Sequence, residues 1–516
     1  MTAPRLFLFL FCAFMLVTSR EPPWADAHVV YDTTQELVDH GALDVHLEGG
    51  PPWFYAHRNG KKYGVFPLGN VIAMIPSYLG YKLLAHLPQL PDRPIFAFAS
   101  HLSPALMMAA ACALFFLMLR RRGVEPPWAT GGTLIVAFAT FCFVYARSPY
   151  SEALQTLVLV WLVERTLAMG DRPTLLGLGW LAVAAGVLVN SKLVNVLFLP
   201  LVVWYVVARA QRRGELGVVL RALPICIVIF AELMAVALWH NWLKTGSIWD
   251  SGYQIKHGVF SGDLVAGVYG LLLSPGKSAF LYSPPLVLAL LGARTAWQRR
   301  REETILVAGV IAVSIVFNAK FRHWHADYCW GPRHLTAVTP LAMLLAFPWL
   351  PEAMRRGRLA LRRWALGALI TAGVLVQLLG ASIYWDHYIR VLIAVKDQTG
   401  SSGWYQEHLS HGHYIPAFSP LRGQVWMLSH LVRNDPDLDK DAPWKTIMPA
   451  PANLEDAWRR VRFDWWPLEL ASAEPPKKPW ATLTLFMTLL AATVLTGSWA
   501  LRGARRDEQR QDVPAA

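Results

Sequence analysis

An acidic stretch directly after the first apolar segment contains the residues best placed for chemistry. It reads WADAHVVYDTTQELVDHG over residues 24–41, and its first carboxylate is that of Asp26. We predict a helix from Ala27 to His40, with Asp26 as its N-cap and Gly41 as its C′ residue. A carboxylate at the boundary between membrane and water suits chemistry on a substrate with a lipid tail and a polar head. The alternative interpretation is that Asp26 only caps this helix.

The same predicted helix has one mostly apolar face, which would allow it to lie along a bilayer surface. That face is formed by Val30, Thr33, Thr34, Leu37 and Val38. A second amphipathic helix is predicted from Leu68 to His86, in the same outer loop. Together the two helices would hold the acidic residues over the membrane.

Two further turns place charged residues beside apolar segments. The turn ARSPYSEAL contains Arg147 and Glu152, and the turn LVNSKLVNV contains Lys192. A carboxylate at the mouth of a membrane-spanning helix is costly unless it is paired or functional. The alternatives are that Glu152 only interacts with its helix dipole and that Lys192 snorkels to the membrane surface.

The stretch AKFRHWHADYCWGPRHL is both basic and aromatic. Its residues Arg322 and Arg333 offer guanidinium forks for phosphate oxygens, and Trp or Tyr rings stack on sugars. His323, His325 and Asp327 have the composition of a metal site, but their i, i+2, i+4 spacing does not match HExxH. The sequence therefore favours a phosphate head group and a sugar over a metal at this stretch.

The composition indicates a membrane protein. Of the 516 residues only 16% are charged, against about 25% in soluble proteins, and 23 are Trp. The sequence pI of about 9.6 does not indicate nucleic-acid binding, because the basic residues are concentrated between apolar segments. The five cysteines form no CxxC pair, which argues against both a disulfide framework and a cysteine zinc site.

Twelve apolar segments are long enough, or nearly so, to cross a bilayer. They lie near residues 5–19, 94–119, 129–146, 152–170, 174–191, 193–210, 218–240, 278–296, 304–319, 334–350, 365–383 and 480–501. If the N-terminus is inside, twenty-two Arg residues fall in inner loops and the tail, and eight Arg or Lys residues fall in short outer loops. This is the positive-inside pattern, so we predict a multi-pass protein of the cytoplasmic (inner) membrane with both termini cytoplasmic. The first segment is interpreted as an uncleaved anchor.

The predicted fold class is therefore all-α, a polytopic membrane bundle of about twelve helices with amphipathic surface helices in the first outer loop. We expect a transmembrane core over residues 1–383, which includes the outer loop 20–93. An outer-face region follows over residues 384–479. Residues 480–516 form the last helix and a basic tail.

In their order and sidedness, these stretches resemble the GT-C type of multi-spanning glycosyltransferases, which use a polyprenyl-phosphate sugar as donor and include dolichyl-phosphate-mannose mannosyltransferases. The resemblance covers most of residues 5–350. It is carried by the acidic loop with the pattern Asp26–Tyr31–Leu37–Gly41–Leu43, and by KYGVFPLGNVIAMIPSYLG, PYSEAL, SPGKSAFLYSPPL and WGPRHL. It implies that Asp26 is the catalytic carboxylate and that Glu152 is a second acidic residue of the site. The first loop has Asp26-Ala27-His28 where the family has a clean acidic pair, so metal dependence stays open. A divalent cation, Mg²⁺ or Mn²⁺, is the only cofactor considered, and its ligands are unknown.

The resulting hypothesis is inverting transfer of a sugar from a lipid phosphate to an envelope acceptor on the outer face of the membrane. Asp26 would be the general base, and Glu152 would hold the acceptor or a divalent ion. The expected donor-phosphate ligands are Arg333, Lys192, Arg147 and Arg322. The expected sugar and lipid-head pocket contains His28, Tyr31, Tyr63 and Trp330, with Trp24 and Tyr328 nearby.

Two other classes of function remain open from the sequence. Twelve helices with both ends inside is also a transporter or flippase pattern, for which Glu232 in the seventh segment would be the intramembrane charge. The third class is a non-enzymatic scaffold that presents its outer loops to envelope partners. The expected partners are the polyprenyl-phosphate sugar, membrane lipids and an acceptor that is a glycolipid, a polysaccharide or a protein. The sequence does not identify the sugar or the linkage.

Overall fold

The structure, a computed structural model, describes residues 2–46, 52–86, 92–253, 260–355, 359–398, 410–448, 454–471 and 479–511. These residues are mostly helical. In chain order the first helices are α1 Ala3–Leu16, α2 Asp26–His40, α3 Leu68–Ala73, α4 Ile75–Ala85, α5 Asp92–Ser100, α6 Leu102–Arg121, α7 Pro126–Ala139, α8 Cys142–Ala146, α9 Glu152–Asp171 and α10 Leu175–Ser191. They are followed by α11 Leu199–Arg212, α12 Leu216–Thr245, α13 Leu264–Leu272, α14 Ala279–Tyr282, α15 Val287–Arg299, α16 Arg301–Lys320, α17 Thr339–Leu344, α18 Leu350–Arg355, α19 Leu359–Ser382 and α20 Asp386–Gln398. The later helices, named by their ranges, are Ser410–Tyr414, Pro420–Arg433, Leu454–Trp458, Trp466–Ala471 and Pro479–Gln511.

The segment between α2 and α3 contains a small β-hairpin, which the predicted all-α fold class did not include. Strands β1 (Tyr55–Arg58) and β2 (Lys61–Gly64) pair antiparallel, with Tyr55 opposite Gly64. Asn59 and Gly60 both have positive φ, of 52° and 76°. The two-residue Asn-Gly loop is the preferred hairpin connection, because its backbone twist matches that of the strands.

Helix α2 begins one residue earlier than the sequence predicts. Asp26 is the first helical residue, and Ala25, with a φ of 53°, precedes it, so the prediction that Asp26 is the N-cap is wrong. The Asp26 carboxylate accepts a hydrogen bond from its neighbour's amide, Ala27 N, at 3.2 Å. Gly41 ends the helix in the left-handed conformation, with a φ of 64°, which confirms the predicted C′ glycine.

The apolar face of α2 is covered by protein rather than by a bilayer, which corrects the predicted surface orientation. Helices α3 and α4 and strand β2 pack against it. Val29 and Val30 of α2 join Val71 and Tyr78 in a hydrophobic cluster separate from the main core. The predicted helix from Leu68 to His86 is divided into α3 and α4 at Met74, close to Pro76 near the start of α4.

Among the described residues, six helices are long and apolar enough to cross a membrane, and the chain is an integral membrane protein. They are Asp92–Arg121, Glu152–Asp171, Leu193–Arg212, Leu216–Thr245, Arg301–Lys320 and Ala360–Ser382. Helix α12 has almost no buried residues over its apolar window, and Leu220, Ile225 and Ile227 are half exposed or more. Such a surface is stable in lipid but not in water.

The count of twelve spans is not confirmed. Ala3–Leu16, Leu175–Ser191 and Leu483–Trp499 are apolar helices of shorter length. The predicted segment 278–296 is interrupted after α14, where Pro284 and Pro285 begin a 3₁₀ turn. Proline lacks the amide hydrogen that a continuing helix needs. The division of the chain at residues 383 and 479 stays a prediction.

Arginines that the sequence assigns to inner loops are joined by ion pairs at one end of the bundle. Arg122 at the end of α6 lies 2.8 Å from Asp171 and 3.1 Å from Glu303. Arg209 at the end of α11 lies 3.3 Å from Glu302, beside Glu303 at the start of α16. These helix ends therefore share one side of the membrane, and the assignment of that side to the cytoplasm stays a prediction.

The orientation can be tested with single cysteines. In intact cells we expect His40→Cys, in the first outer loop, to react with a membrane-impermeant thiol reagent. Arg213→Cys, after α11, should react only when the membrane is permeabilised. The wild type is the control, since four of its cysteines are buried and Cys226 lies on the lipid-facing helix α12. The reverse labelling pattern would show that the predicted orientation is inverted.

Candidate active site

Three loops at one end of the bundle bring Asp26, Glu152 and Arg333 together. Asp26 begins α2, Glu152 begins α9, and Arg333 begins the short 3₁₀ helix Arg333–Leu335. Arg333 Nη2 donates a hydrogen bond to Asp26 Oδ2, and Arg333 Nε donates one to Glu152 Oε1 at 2.6 Å. One guanidinium therefore bridges two carboxylates that are far apart in the sequence.

This triad, Asp26–Glu152–Arg333, is largely shielded from water. The exposed fraction of the side chain is 6% for Glu152, 13% for Arg333 and 21% for Asp26. The Arg333 guanidinium lies 4.2 Å from the centre of the Tyr150 ring, an attractive cation–π arrangement. Burial lowers the pKa of Arg333, but the carboxylates of Asp26 and Glu152 raise it well above its usual value. Glu152 Oε2 accepts no hydrogen bond from any described residue.

Trp330, three residues before Arg333, is a buried residue whose packing fixes the position of Arg333. Trp330 is fully buried, and its ring meets that of Tyr282 edge to face at 4.9 Å. Its carbonyl accepts a hydrogen bond from Tyr145 Oη at 2.8 Å. A side chain on Gly380 would collide with the indole. These are the contacts of a packing residue, although the sequence suggested that Trp330 lines a sugar pocket.

Lys192 is close enough to the triad to interact electrostatically with all three of its residues. Burial lowers the pKa of Lys192, and the carboxylates of Glu152 and Asp26 oppose this shift. Lys192 also lines a narrow cleft with a free volume of about 30 Å³ between α9, α16 and the 3₁₀ helix Leu193–Phe198. The cleft has polar residues, Gln155, Lys192, Asn318 and His334, and apolar residues that include Leu159, Phe198, Val313 and Phe317.

The guanidinium of Arg147 is bound by residues other than those of the triad. Its Nε donates to Val17 O at 2.6 Å, and its Nη1 donates to Ala381 O at 2.9 Å. Its Nη2 donates to Asp464 O at 2.6 Å and lies 3.3 Å from the Asp464 carboxylate. These contacts connect α1, α19 and the segment around Asp464. The structure therefore gives Arg147 a place in the scaffold, and its predicted role as a phosphate ligand is untested.

The other predicted pocket residues, Tyr31, Tyr63 and His28, differ in how far they are exposed to solvent. Tyr31 is buried, with its ring edge to face against Tyr78 at 5.9 Å, and Tyr63 is buried in β2. His28 is half exposed, and its Nε2 lies 3.3 Å from Asp32 Oδ2.

Three other residues that the sequence singles out lie at the surface. Arg322 is exposed just after α16. Trp24 is half exposed, with the Arg390 guanidinium 5.9 Å from its ring centre. Glu232, the charge that would favour a transporter, is exposed on α12. It is therefore not in the interior, where transported substrates usually bind.

Two tyrosines of the site were missed by sequence reasoning. Tyr150 stands two residues before Glu152 in PYSEAL, and this proximity was the available signal. Tyr253 lies near the triad: partial burial and the carboxylates of Asp26 and Glu152 raise its pKa, and Arg333 lowers it. Nothing in the sequence around Tyr253 indicates that the loop after α12 returns to this site.

Asp32, one turn along α2 from His28, introduces a pH dependence of stability. Burial, reinforced by Glu36 and opposed by Lys62, raises the pKa of Asp32 to about 7. In the unfolded chain the same carboxyl has an ordinary pKa near 4. The folded state therefore keeps this proton when the unfolded state has lost it, and stability falls as pH rises from about 4 to 7.

We expect Asp32→Asn to remove this loss, because the amide stays neutral. Its apparent melting temperature should exceed that of the wild type at pH 8, and the two should approach each other at pH 5. Asp39→Asn is the matched control on the same helix, because hydrogen bonds from Lys82 and Tyr78 lower the pKa of Asp39. Asp39 is thus ionised in both states throughout this range. Equal pH slopes for Asp32→Asn and the wild type would contradict the assignment.

Comparisons with known proteins identify similar solved structures. No protein-family model and no curated protein matches the chain. The crystal structure of ArnT from Cupriavidus metallidurans bound to undecaprenyl phosphate has a TM-score of 0.49 and 15% sequence identity, and the match covers 86% of this chain and 72% of that one. ArnT in the apo state gives a TM-score of 0.44 and 16% identity, over 82% and 67% of the two chains. The resemblance predicted from the sequence agrees with these neighbours.

Proposed function

We propose that the protein is a membrane glycosyltransferase that moves a sugar from a polyprenyl-phosphate donor to an envelope acceptor at the outer face of the membrane. The observation that carries this proposal is the bridge from Arg333 to Asp26 and Glu152, beside a cleft that Lys192 lines. Two carboxylates and two cations at the edge of a lipid-embedded bundle are the groups that sugar transfer from a lipid phosphate requires.

The residues that line the cleft suit an amphipathic donor, for which the cleft would have to widen. Leu159 and Phe317 contribute apolar wall for the start of a prenyl chain, and Lys192 can meet the phosphate. Arg333 supplies the second cation, because a guanidinium binds phosphate oxygens through two parallel hydrogen bonds. Binding of the phosphate would draw Arg333 from Asp26 and leave that carboxylate able to accept a proton.

The chemical step then follows from the two carboxylates. The acceptor hydroxyl oxygen forms a bond to the anomeric carbon, and the bond from that carbon to the phosphate oxygen breaks. The hydroxyl proton passes to Asp26, and the polyprenyl phosphate leaves with its charge held by Lys192 and Arg333. Attack opposite the leaving group inverts the configuration of the anomeric carbon.

The two carboxylates have different roles because their surroundings differ. Asp26 is the more exposed, at the start of the outer helix α2, and can be reached by an acceptor. Glu152 is nearly buried and holds Arg333 through Oε1, while its Oε2 is available for a hydrogen bond from the acceptor. Asp26 is therefore the base and Glu152 the positioning residue.

A divalent cation, Mg²⁺ or Mn²⁺, does not fit the triad in this arrangement. Arg333 already occupies the position between the carboxylates of Asp26 and Glu152 and supplies their positive partner. The mechanism above therefore uses no metal step.

Lys192→Met tests the donor site. The substitution keeps the length of the side chain and removes its charge, so we expect the KM for the lipid-phosphate donor to rise about 10- to 100-fold, the equivalent of one charged hydrogen bond. The measurement is transfer by purified protein over a range of donor concentrations. Lys82→Met, at an exposed lysine of α4, is the matched control. A donor KM equal to that of the wild type would remove Lys192 from the donor site.

The function itself is tested by supplying purified protein in lipid nanodiscs with a panel of labelled polyprenyl-phosphate hexoses and pentoses and extracted envelope acceptors. Transfer from at least one donor, reduced by about 10²–10⁴-fold in Asp26→Asn, is the expected result. Uptake of the label into sealed vesicles without transfer would instead identify a transporter. The lipid-linked sugar that accumulates in cells lacking the protein would identify the donor.

A further inference from the structure

A second cluster of buried polar side chains lies outside the triad. His325 and Asp327 come from the loop after α16, and His413 comes from the short helix Ser410–Tyr414. His325 Nδ1 lies 2.7 Å from Asp327 Oδ1, and His413 Nε2 lies 2.9 Å from the same oxygen. One ligand atom from each of the three residues lies within 4.8 Å of the others.

The Asp327 carboxylate is contacted by both imidazoles but forms no well-aligned hydrogen bond among the described residues. Neither oxygen of Asp327 nor Nδ1 of His325 forms a hydrogen bond of acceptable geometry with any described residue, although all three atoms are buried. Buried polar groups without partners are rare and costly. Both imidazoles approach the same carboxylate oxygen, so the three ligand groups converge in the protein interior.

From this geometry we propose that His325, Asp327 and His413 form a Zn²⁺ site, with a fourth position for water. Two imidazoles and one carboxylate are common zinc ligands, whereas Mg²⁺ and Ca²⁺ prefer oxygen ligands alone. Bonds of about 2.0–2.1 Å in a tetrahedron place ligand atoms roughly 3.3 Å apart. The two N–O distances, 2.7 and 2.9 Å, would have to lengthen by about half an ångström.

The proposed site differs from the one the sequence suggested. The local spacing offered His323 as the third ligand, but the structure supplies His413 from a distant segment. The ion would join the outer segment around His413 to the loop that continues to Arg333. Gly276 N already donates to His413 O at 3.0 Å, and Lys277 Nζ donates to Cys329 O at 3.0 Å. The role of the ion is therefore to fix this loop rather than to act on the sugar.

The test is direct metal binding by the full-length protein without a histidine tag. After dialysis against Zn²⁺ and removal of free metal, we expect about one Zn²⁺ per chain by mass spectrometry of the metal, and tetrahedral Co²⁺ absorption after exchange. His413→Ala and Asp327→Asn should lose both signals. His86→Ala, at an exposed histidine, is the matched control and should retain them. Wild-type protein that binds no more Zn²⁺ than His413→Ala overturns the proposal.

A stability measurement guards against variants that simply misfold. A metal that binds only the folded state raises the melting temperature. Chelator should therefore lower the melting temperature of the wild type and of His86→Ala, and leave that of Asp327→Asn unchanged. An equal shift in all three proteins would overturn the site. Neither readout depends on sugar transfer, so this inference and the proposed function can fail independently.

Discussion

Replacement of Asp26 by Asn is expected to reduce sugar transfer by about 10²–10⁴-fold, the usual contribution of a general base. Asn has the shape of Asp, and its carbonyl oxygen can still accept the hydrogen bond from Ala27 N. An amide, however, does not take up a proton at neutral pH. Arg333 keeps its second partner, Glu152, in this variant, so the site should stay assembled.

The measurement is kcat for transfer from a polyprenyl-phosphate sugar, with the melting temperature recorded in parallel. Asp39→Asn, at the other end of α2, is the matched control and should transfer sugar at the wild-type rate. If Asp26→Asn also does so, Asp26 only organises the start of the helix. Glu152 and His28 would then be the carboxylate and imidazole to replace.

Replacement of Arg333 should affect both stability and activity. Arg333→Ala leaves the buried carboxylate of Glu152 without its cation, and breaking a buried pair in this way costs about 3–5 kcal/mol. Arg333→Lys keeps the charge, but one ammonium cannot reproduce the fork that contacts Asp26 and Glu152. We expect Arg333→Lys to fold and to lose about 10²–10³-fold in kcat/KM for the donor, as when one preorganised donor is removed from a charged transition state.

A double substitution separates these two effects. Arg333→Met combined with Glu152→Gln removes both charges, so it should recover much of the stability that Arg333→Ala loses without recovering transfer. Arg433→Lys, at an exposed arginine, is the matched control for the loss of a guanidinium. Unchanged kcat and KM in Arg333→Lys would restrict Arg333 to a structural bridge.

Features decided by neighbouring residues could be predicted from the sequence. Gly41 ends α2 as expected, because the left-handed conformation at a helix end favours glycine. The Asn59-Gly60 turn is an equally local hairpin signal, which helical periodicity alone does not detect. Apolar periodicity also predicts one continuous segment over residues 278–296, which Pro284 and Pro285 divide.

Features decided by distant partners could not be predicted in this way. Arg147 and Arg333 look alike in the sequence, as basic residues at short turns that are predicted to lie outside. Only the fold gives Arg147 its partner Asp464 and gives Arg333 its two carboxylates. His413 likewise joins Asp327 only through tertiary contact. The sidedness of the membrane segments predicted that such residues share one surface, but not which of them touch.

The ion pair between Arg147 and Asp464 has a consequence for biosynthesis. Trp465 and Trp466 also donate from their indole nitrogens to the carbonyl of Leu16, at the end of α1. The stretch that leads to Asp26 is thus secured by residues that leave the ribosome only after helices α1 to α19. A nascent chain can insert its early helices, but it lacks these contacts until residues 464–466 have been synthesised. We infer that a chain interrupted before residue 464 does not hold Asp26 in its folded position.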